Sequence, residues 1–133
     1  MNITKIEGIG PVNAAKLEEQ GITTVEALLK AGAARKDRKQ LAEDTGLSEV
    51  LILDWVNRAD LMRIPGVGEE YSDLLEQAGV DTVKELRRRN PDNLHAAMLA
   101  VNNEKKLVRR FPGKGNVRDW VKRAGELPPM VTY

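Results

Sequence analysis

Apolar residues recur at helical spacing along almost the whole chain, and nowhere do they alternate with polar ones long enough to make a strand. The densest stretch holds Val50, Leu51, Ile52, Leu53, Trp55, Val56, Ala59 and Leu61. A helix there is apolar on most sides, which predicts a buried spine from a Ser48 cap to about Leu61. Ahead of it the pattern predicts a helix from Pro11 to about Gln20 ended by Gly21, and a short one in ITTVEALLKAG started by Thr23 or Thr24. A third, about Lys36 to Asp44, stops at Gly46. Beyond the spine, helices are expected at about Glu69–Gln77, Val83–Arg89, Asn93–Val101 and Lys105–Arg110. FPGKGN makes a turn, Asn116 with Asp119 resembles a capping box for a last helix, and the paired prolines of LPPMVTY predict an extended end. The fold class is all-α.

A shift of 58 positions lays the chain over itself. Ile6, Gly8, Gly10, Leu17, Glu18 and Gly21 fall on Ile64, Gly66, Gly68, Leu75, Glu76 and Gly79. Further on the shift grows to 65, so that Asp54, Trp55, Val56, Arg58 and Ala59 match Asp119, Trp120, Val121, Arg123 and Ala124. The second copy therefore carries about seven extra residues, most simply placed between Asn103 and Asn116. Each copy is one supersecondary unit. The expected division is 1–62, 63–127 and a tail of 128–133, with the two helical units packed as one compact protein.

Each copy opens on two glycines around one aliphatic residue, followed at once by an amphipathic helix: IEGIGPVNAAKL and IPGVGEEYSDLL. Such glycines permit a very tight turn and a close approach to the backbone. The first amides of the following helix point out of that turn and can receive an anion such as a phosphate.

Composition narrows the chemistry. There is no cysteine, which excludes disulfides, thiolate catalysis and cysteine-ligated zinc, and the single histidine, His95, leaves little for a metal centre. His95 is expected at the surface or in a cap. No metal, cofactor or small-molecule substrate is expected, and no nucleophile–base pair suggests an enzyme. The apolar runs are too short to span a bilayer, and MNITKIEG lacks the apolar core of a signal peptide, so a cytoplasmic location is expected without a membrane partner. Residues 1–80 hold 9 Lys/Arg against 14 Asp/Glu, and residues 81–133 hold 12 against 6. An acidic part and a basic part suit either a polyanion-binding face or self-association.

The hairpins resemble the helix-hairpin-helix motif of many DNA repair, replication and recombination proteins. GITTVEALL and GVDTVKELR resemble the helix that follows such hairpins in tandem versions. Over nearly its whole length the chain resembles the family called domain of unknown function 4332, and LAEDTGLSEVLILDWVNRADLMRIPGVGEEY is the most telling part. The resemblance implies two duplicated helix-hairpin-helix (SAM-like) units. It also implies that hairpin amides hold phosphate without reading bases. On this chain those loops are Gly8, Ile9 and Gly10, and Gly66, Val67 and Gly68, with Ala14 and Ser72 at the position where the motif keeps a small residue. Where DNA-binding hairpins often carry Lys or Arg, this chain has Val12 and Glu70. Glu69 and Glu70 disfavour a phosphate at the second hairpin, whereas the first, with Lys16 near, is more permissive.

The other candidate surface is basic. Lys105, Lys106, Arg109, Arg110, Lys114, Arg118, Lys122 and Arg123 are opposed within their span only by Asp119, a density that can follow a phosphate backbone. Two shorter runs, Arg35–Lys39 and Arg87–Arg89, read as solvated faces. The stretch from Ser48 to Arg58 also has helix-turn-helix spacing, but its outward residues lack the donors that read base edges, so packing is the favoured reading. Trp55 and Trp120, in matching places, are expected in the core. The expected function is a non-catalytic module binding DNA, or RNA, through backbone phosphates without sequence specificity. The alternative is a protein-interaction or self-associating scaffold, an oligomer or adaptor that binds no nucleic acid.

Overall fold

A computed structural model describes residues 1–133. It contains eight α-helices and no strand: α1 (Pro11–Glu18), α2 (Val25–Gly32), α3 (Arg35–Thr45), α4 (Glu49–Leu61), α5 (Glu69–Gln77), α6 (Val83–Leu86), α7 (Pro91–Lys105) and α8 (Lys114–Glu126). The starts follow from local chemistry. Thr24 Oγ1 accepts from the Ala27 amide at 3.0 Å, Ser48 Oγ from Val50 at 3.1 Å and Asn90 Oδ1 from Asn93 at 3.0 Å. Each satisfies one of the orphan donors of a first helical turn. Helices α4 and α8 both run 13 residues and begin 65 apart, the shift that relates those stretches in the sequence.

The chain divides into two units, Met1–Asp60 with Met130–Tyr133, and Leu61–Pro129. In the first, Ile3, Ile6, Leu17, Leu28, Ile52 and Trp55 are the large side chains removed almost completely from water. Gly32 is buried at the end of α2, where an added Cβ would stand 2.6 Å from Val56 Cγ2 of α4, so only glycine lets the backbone come so near. In the second unit the core gathers Leu61, Ile64, Leu74, Leu75, Val83, Leu86, Leu94, Met98, Val117 and Trp120.

Four expectations from the sequence change. The two helices expected at Asn93–Val101 and Lys105–Arg110 are one, α7, after which the chain runs without helix to Gly113. No glycine or proline interrupts residues 102–105, and the stop comes at Lys106, held in the left-handed region at φ 52°. There its amide bonds Asn102 O at 2.8 Å, and Asn102 Oδ1 accepts from Val108 at 3.0 Å. Asn116 is not the first cap of α8 but sits one turn in. Its Oδ1 accepts from the Gly113 amide at 3.0 Å, the backward half of a capping box, while Asp119 pairs with Arg123. The spine α4 is buried only from Ile52 onward, because Val50 is 77% and Leu51 44% exposed.

The fourth change concerns the run Arg35–Lys39. Arg38 is 4% exposed, and its guanidinium donates to Gly32 O and Ala33 O, both at 2.9 Å, and to Thr132 O. Thr132 in turn donates its amide to Ala33 O at 2.8 Å, and Val131 is buried. The end of the chain is therefore folded into the first unit around one arginine. Burial pulls the Arg38 guanidinium below its ordinary pKa, and Tyr133 offsets part of that. Its three carbonyl partners offer what water would otherwise supply.

Two outcomes follow from these contacts. Gly8 sits at φ +92°, so Gly8→Ala should lower unfolding stability by about 1–2 kcal/mol. Gly10, at φ −82° with open space around its Cα, should tolerate alanine within about 0.5 kcal/mol, because the weaker cap offsets a stiffer unfolded chain. Denaturant titration of the pair checks this. Arg38→Met should cost at least about 2 kcal/mol by orphaning buried carbonyls. It should also release the segment around Val131 and Thr132, read as faster amide exchange at Thr132.

Candidate nucleic-acid interface

Each hairpin is built from the same three parts. Gly8 (φ +92°) and Gly66 (φ +91°) take the left-handed turn. The next residue then swings its side chain inward, leaving Ile9 5% and Val67 3% exposed. Its amide closes the turn, Ile9 onto Ile6 O at 3.1 Å and Val67 onto Ile64 O at 3.0 Å. Beneath each turn lies the repeated indole. A Cβ added at Gly8 would stand 3.4 Å from Trp55 Nε1, and one at Gly66 3.5 Å from Trp120 Nε1. Both tryptophans are core residues.

This geometry sorts the candidate loop residues. Ile9 and Val67 hold the core and use their amides within the turn, so they are not donors to a ligand. Gly10 and Gly68 are the residues from which α1 and α5 begin, and neither helix start carries a side-chain cap. In α1, Pro11 has no amide to offer, which leaves Gly10, Val12 and Asn13 as outward donors. Val12 is 70% exposed and Lys16 is half-buried one turn on. In α5 the amides left over by the helix belong to Gly68, Glu69, Glu70 and Tyr71, and the two exposed carboxylates there compete with any anion. Ala14 and Ser72, four residues past the second glycine, are both buried, and Ser72 Oγ donates back to Glu69 O at 3.1 Å. A larger side chain at either place would push the helix off its core.

All eight basic residues between Lys105 and Arg123 are exposed. Lys114, Arg118 and Lys122 recur every four residues, so they form one stripe along α8, away from buried Val117, Trp120 and Ala124. Arg118 meets Asp92 at 3.2 Å and Arg123 meets Asp119 at 2.8 Å, the latter bond holding the Arg123 pKa above its ordinary value. Asp92 lies outside the span in which the sequence shows only one opposing charge. Such exposed pairs are weak and open readily to a stronger anion. Lys105 Nζ donates to Gln77 Oε1 at 2.7 Å.

The second unit brings one hairpin and part of the basic surface together. Gly66, Tyr71, Arg110, Gly113, Asn116 and Trp120 line one cleft of about 590 Å³. The extra residues of the second copy supply much of that lining, and two side chains pin them. Tyr71 OH donates to Arg110 O at 2.7 Å, and His95 Nε2 lies 3.1 Å from Pro112 O, with its ring edge-on to Phe111. Since a carbonyl only accepts, Nε2 carries the proton. His95 is thus a structural anchor for the segment, a role that its isolation in the sequence did not suggest.

No solved structure matches this chain. No helix is long and apolar enough to cross a membrane. The sequence model of the family described as Domain of unknown function (DUF4332) matches residues 7–127, and the chain belongs to that family.

Proposed function

We propose that this chain is a non-enzymatic tandem helix-hairpin-helix module that holds DNA or RNA by its phosphate backbone without reading sequence. The observation that carries the reading is the second unit, where a left-handed glycine turn shares a cleft with Arg110 among eight exposed cations. Phosphates demand positive charge, and this surface offers it through Arg110 and the exposed cations around it. Sequence readout demands Arg, Asn or Gln presented to a groove. The exposed start of α4 offers Ser48, Glu49, Val50 and Leu51 in their place. At the first hairpin the amides of Gly10, Val12 and Asn13, with Lys16, form a smaller phosphate contact of the same kind.

One observation favours a second reading, a protein-interaction or self-associating module. Exposed Val50 lines a groove of about 300 Å³ in the first unit with Leu53, Tyr133 and Arg35 among others, and its neighbour Leu51 is exposed as well. Apolar side chains so exposed at one helix start can seat a partner.

Fluorescence anisotropy with a mixed-sequence duplex and a single strand, across a salt series, separates the two. The phosphate reading expects dissociation constants of about 1–100 µM that weaken steeply with salt. Arg109→Glu with Arg110→Glu should weaken binding to all sequences alike and lower the log–log salt slope by about 2. Absence of binding at about 50 mM salt rejects the reading. Sedimentation of Val50→Asp with Leu51→Asp then tests self-association.

A further inference from the structure

The cleft of the second unit is larger than a phosphate needs. Its volume of about 590 Å³ lies within the roughly 300–1,000 Å³ typical of sites for small organic molecules. Its lining also combines chemistries that a bare anion would not use. Arg110 is exposed, and no carboxylate pairs with it. Phe111 and Tyr71 are half-buried aromatic rings, with Tyr71 packed 5.2 Å from the Trp120 ring. Asn116 accepts from Gly113 through Oδ1, which leaves its NH₂ group as a donor.

Charge fixes the orientation of a guest. Near the Gly66 turn, α5 begins with Glu69 and Glu70, whose carboxylates repel a phosphate. On the other flank the lining cation is Arg110, and α8 has no acidic residue in its first turn. Asp119 also lines the cleft, with its charge answered by Arg123 at 2.8 Å. The anionic end of a guest therefore belongs beside Arg110, and a planar apolar body belongs against the rings. The wall is already in place, because Tyr71 and His95 hold its backbone by hydrogen bonds of 2.7 and 3.1 Å. Little ordering is then required on binding.

We infer that this cleft receives one unpaired nucleotide of the bound nucleic acid, its phosphate beside Arg110 and its base against Phe111 and Tyr71. The inference rests on the phosphate-backbone reading above and adds a preference to it. A blunt duplex keeps its bases stacked inside the helix and presents none to the cleft. A single-stranded end or overhang presents one, and stacking on an aromatic ring is tolerant of base identity.

The test uses the whole chain. Amide NMR titrations with thymidine 5′-monophosphate, thymidine and inorganic phosphate are run beside anisotropy with a blunt duplex and the same duplex bearing a short overhang. The nucleotide should move the amides of Gly66, Arg110 and Gly113 and the indole N–H of Trp120. Thymidine or phosphate alone should bind at least about fivefold more weakly, and the overhang should improve duplex affinity by at least about fivefold. Phe111→Leu keeps an apolar side chain in place and should erase the overhang advantage while leaving blunt-duplex binding intact, with a melting curve confirming the fold. Equal affinity for both duplexes, with the cleft amides unmoved by the nucleotide, overturns the inference and leaves the phosphate reading standing. No binding to either duplex overturns both.

Discussion

The closure of a glycine turn over a buried indole is the constraint on which each unit depends. A left-handed φ at Gly8 or Gly66 is needed to turn the chain within two residues. The inward aliphatic residue and its amide then fix where the next helix begins. The indole beneath comes from the other end of the unit, Trp55 for Gly8 and Trp120 for Gly66. One local backbone choice thus becomes a long-range contact that joins the first turn of a unit to its last helix. Remove the turn and the tryptophan loses the wall it packs against. Remove the tryptophan and the turn has nothing to sit on.

The same closure supports different surfaces. Both hairpins aim a helix start outward, but the first is neutral at its tip (Pro11, Val12, Asn13) and the second is acidic (Glu69, Glu70). From the sequence the first hairpin is expected to be the more permissive toward a phosphate. The structure adds a compensating feature to the second: the segment after α7 sets Arg110 in the cleft beside Gly66. Coulomb interactions reach across the cleft, so counting charges along the hairpin alone misjudges the local field. The relevant neighbours are those in space.

That distinction marks what the sequence could reveal. The all-α class, the bounds of α5, the Thr24 and Ser48 caps and the burial of Trp55 and Trp120 rest on local propensity and on spacing, and all are readable from residues near one another. Misreadings arise where a distant partner decides. Arg38 sits in a run of charges that looks solvated, but its acceptors include Thr132, 94 positions away. Leu107, Val108 and Phe111 have helical spacing, yet they reach the core from a non-helical segment, after a stop at Lys106 that no glycine announces. Ile9 and Val67 are the aliphatic residues between paired glycines, but that spacing does not tell which way the amide points. Only the turn geometry does.

A further regularity connects these exceptions. In the sequence repeat, α3 and α7 occupy matching places, and His95 falls one position before the residue matched to Arg38. Each helix uses a side chain near its start to hold the carbonyl of a segment outside the repeat's common core: Arg38 holds Thr132, and His95 holds Pro112. The two anchors differ in chemistry. A buried guanidinium can satisfy several carbonyls at once, which suits a chain end packed down among them. An imidazole offers one N–H to its carbonyl and an apolar edge to Phe111, which suits a segment that must leave its own arginine facing outward. A shared framework can therefore take on separate tasks through one anchoring side chain per copy, leaving the glycine–tryptophan closure untouched.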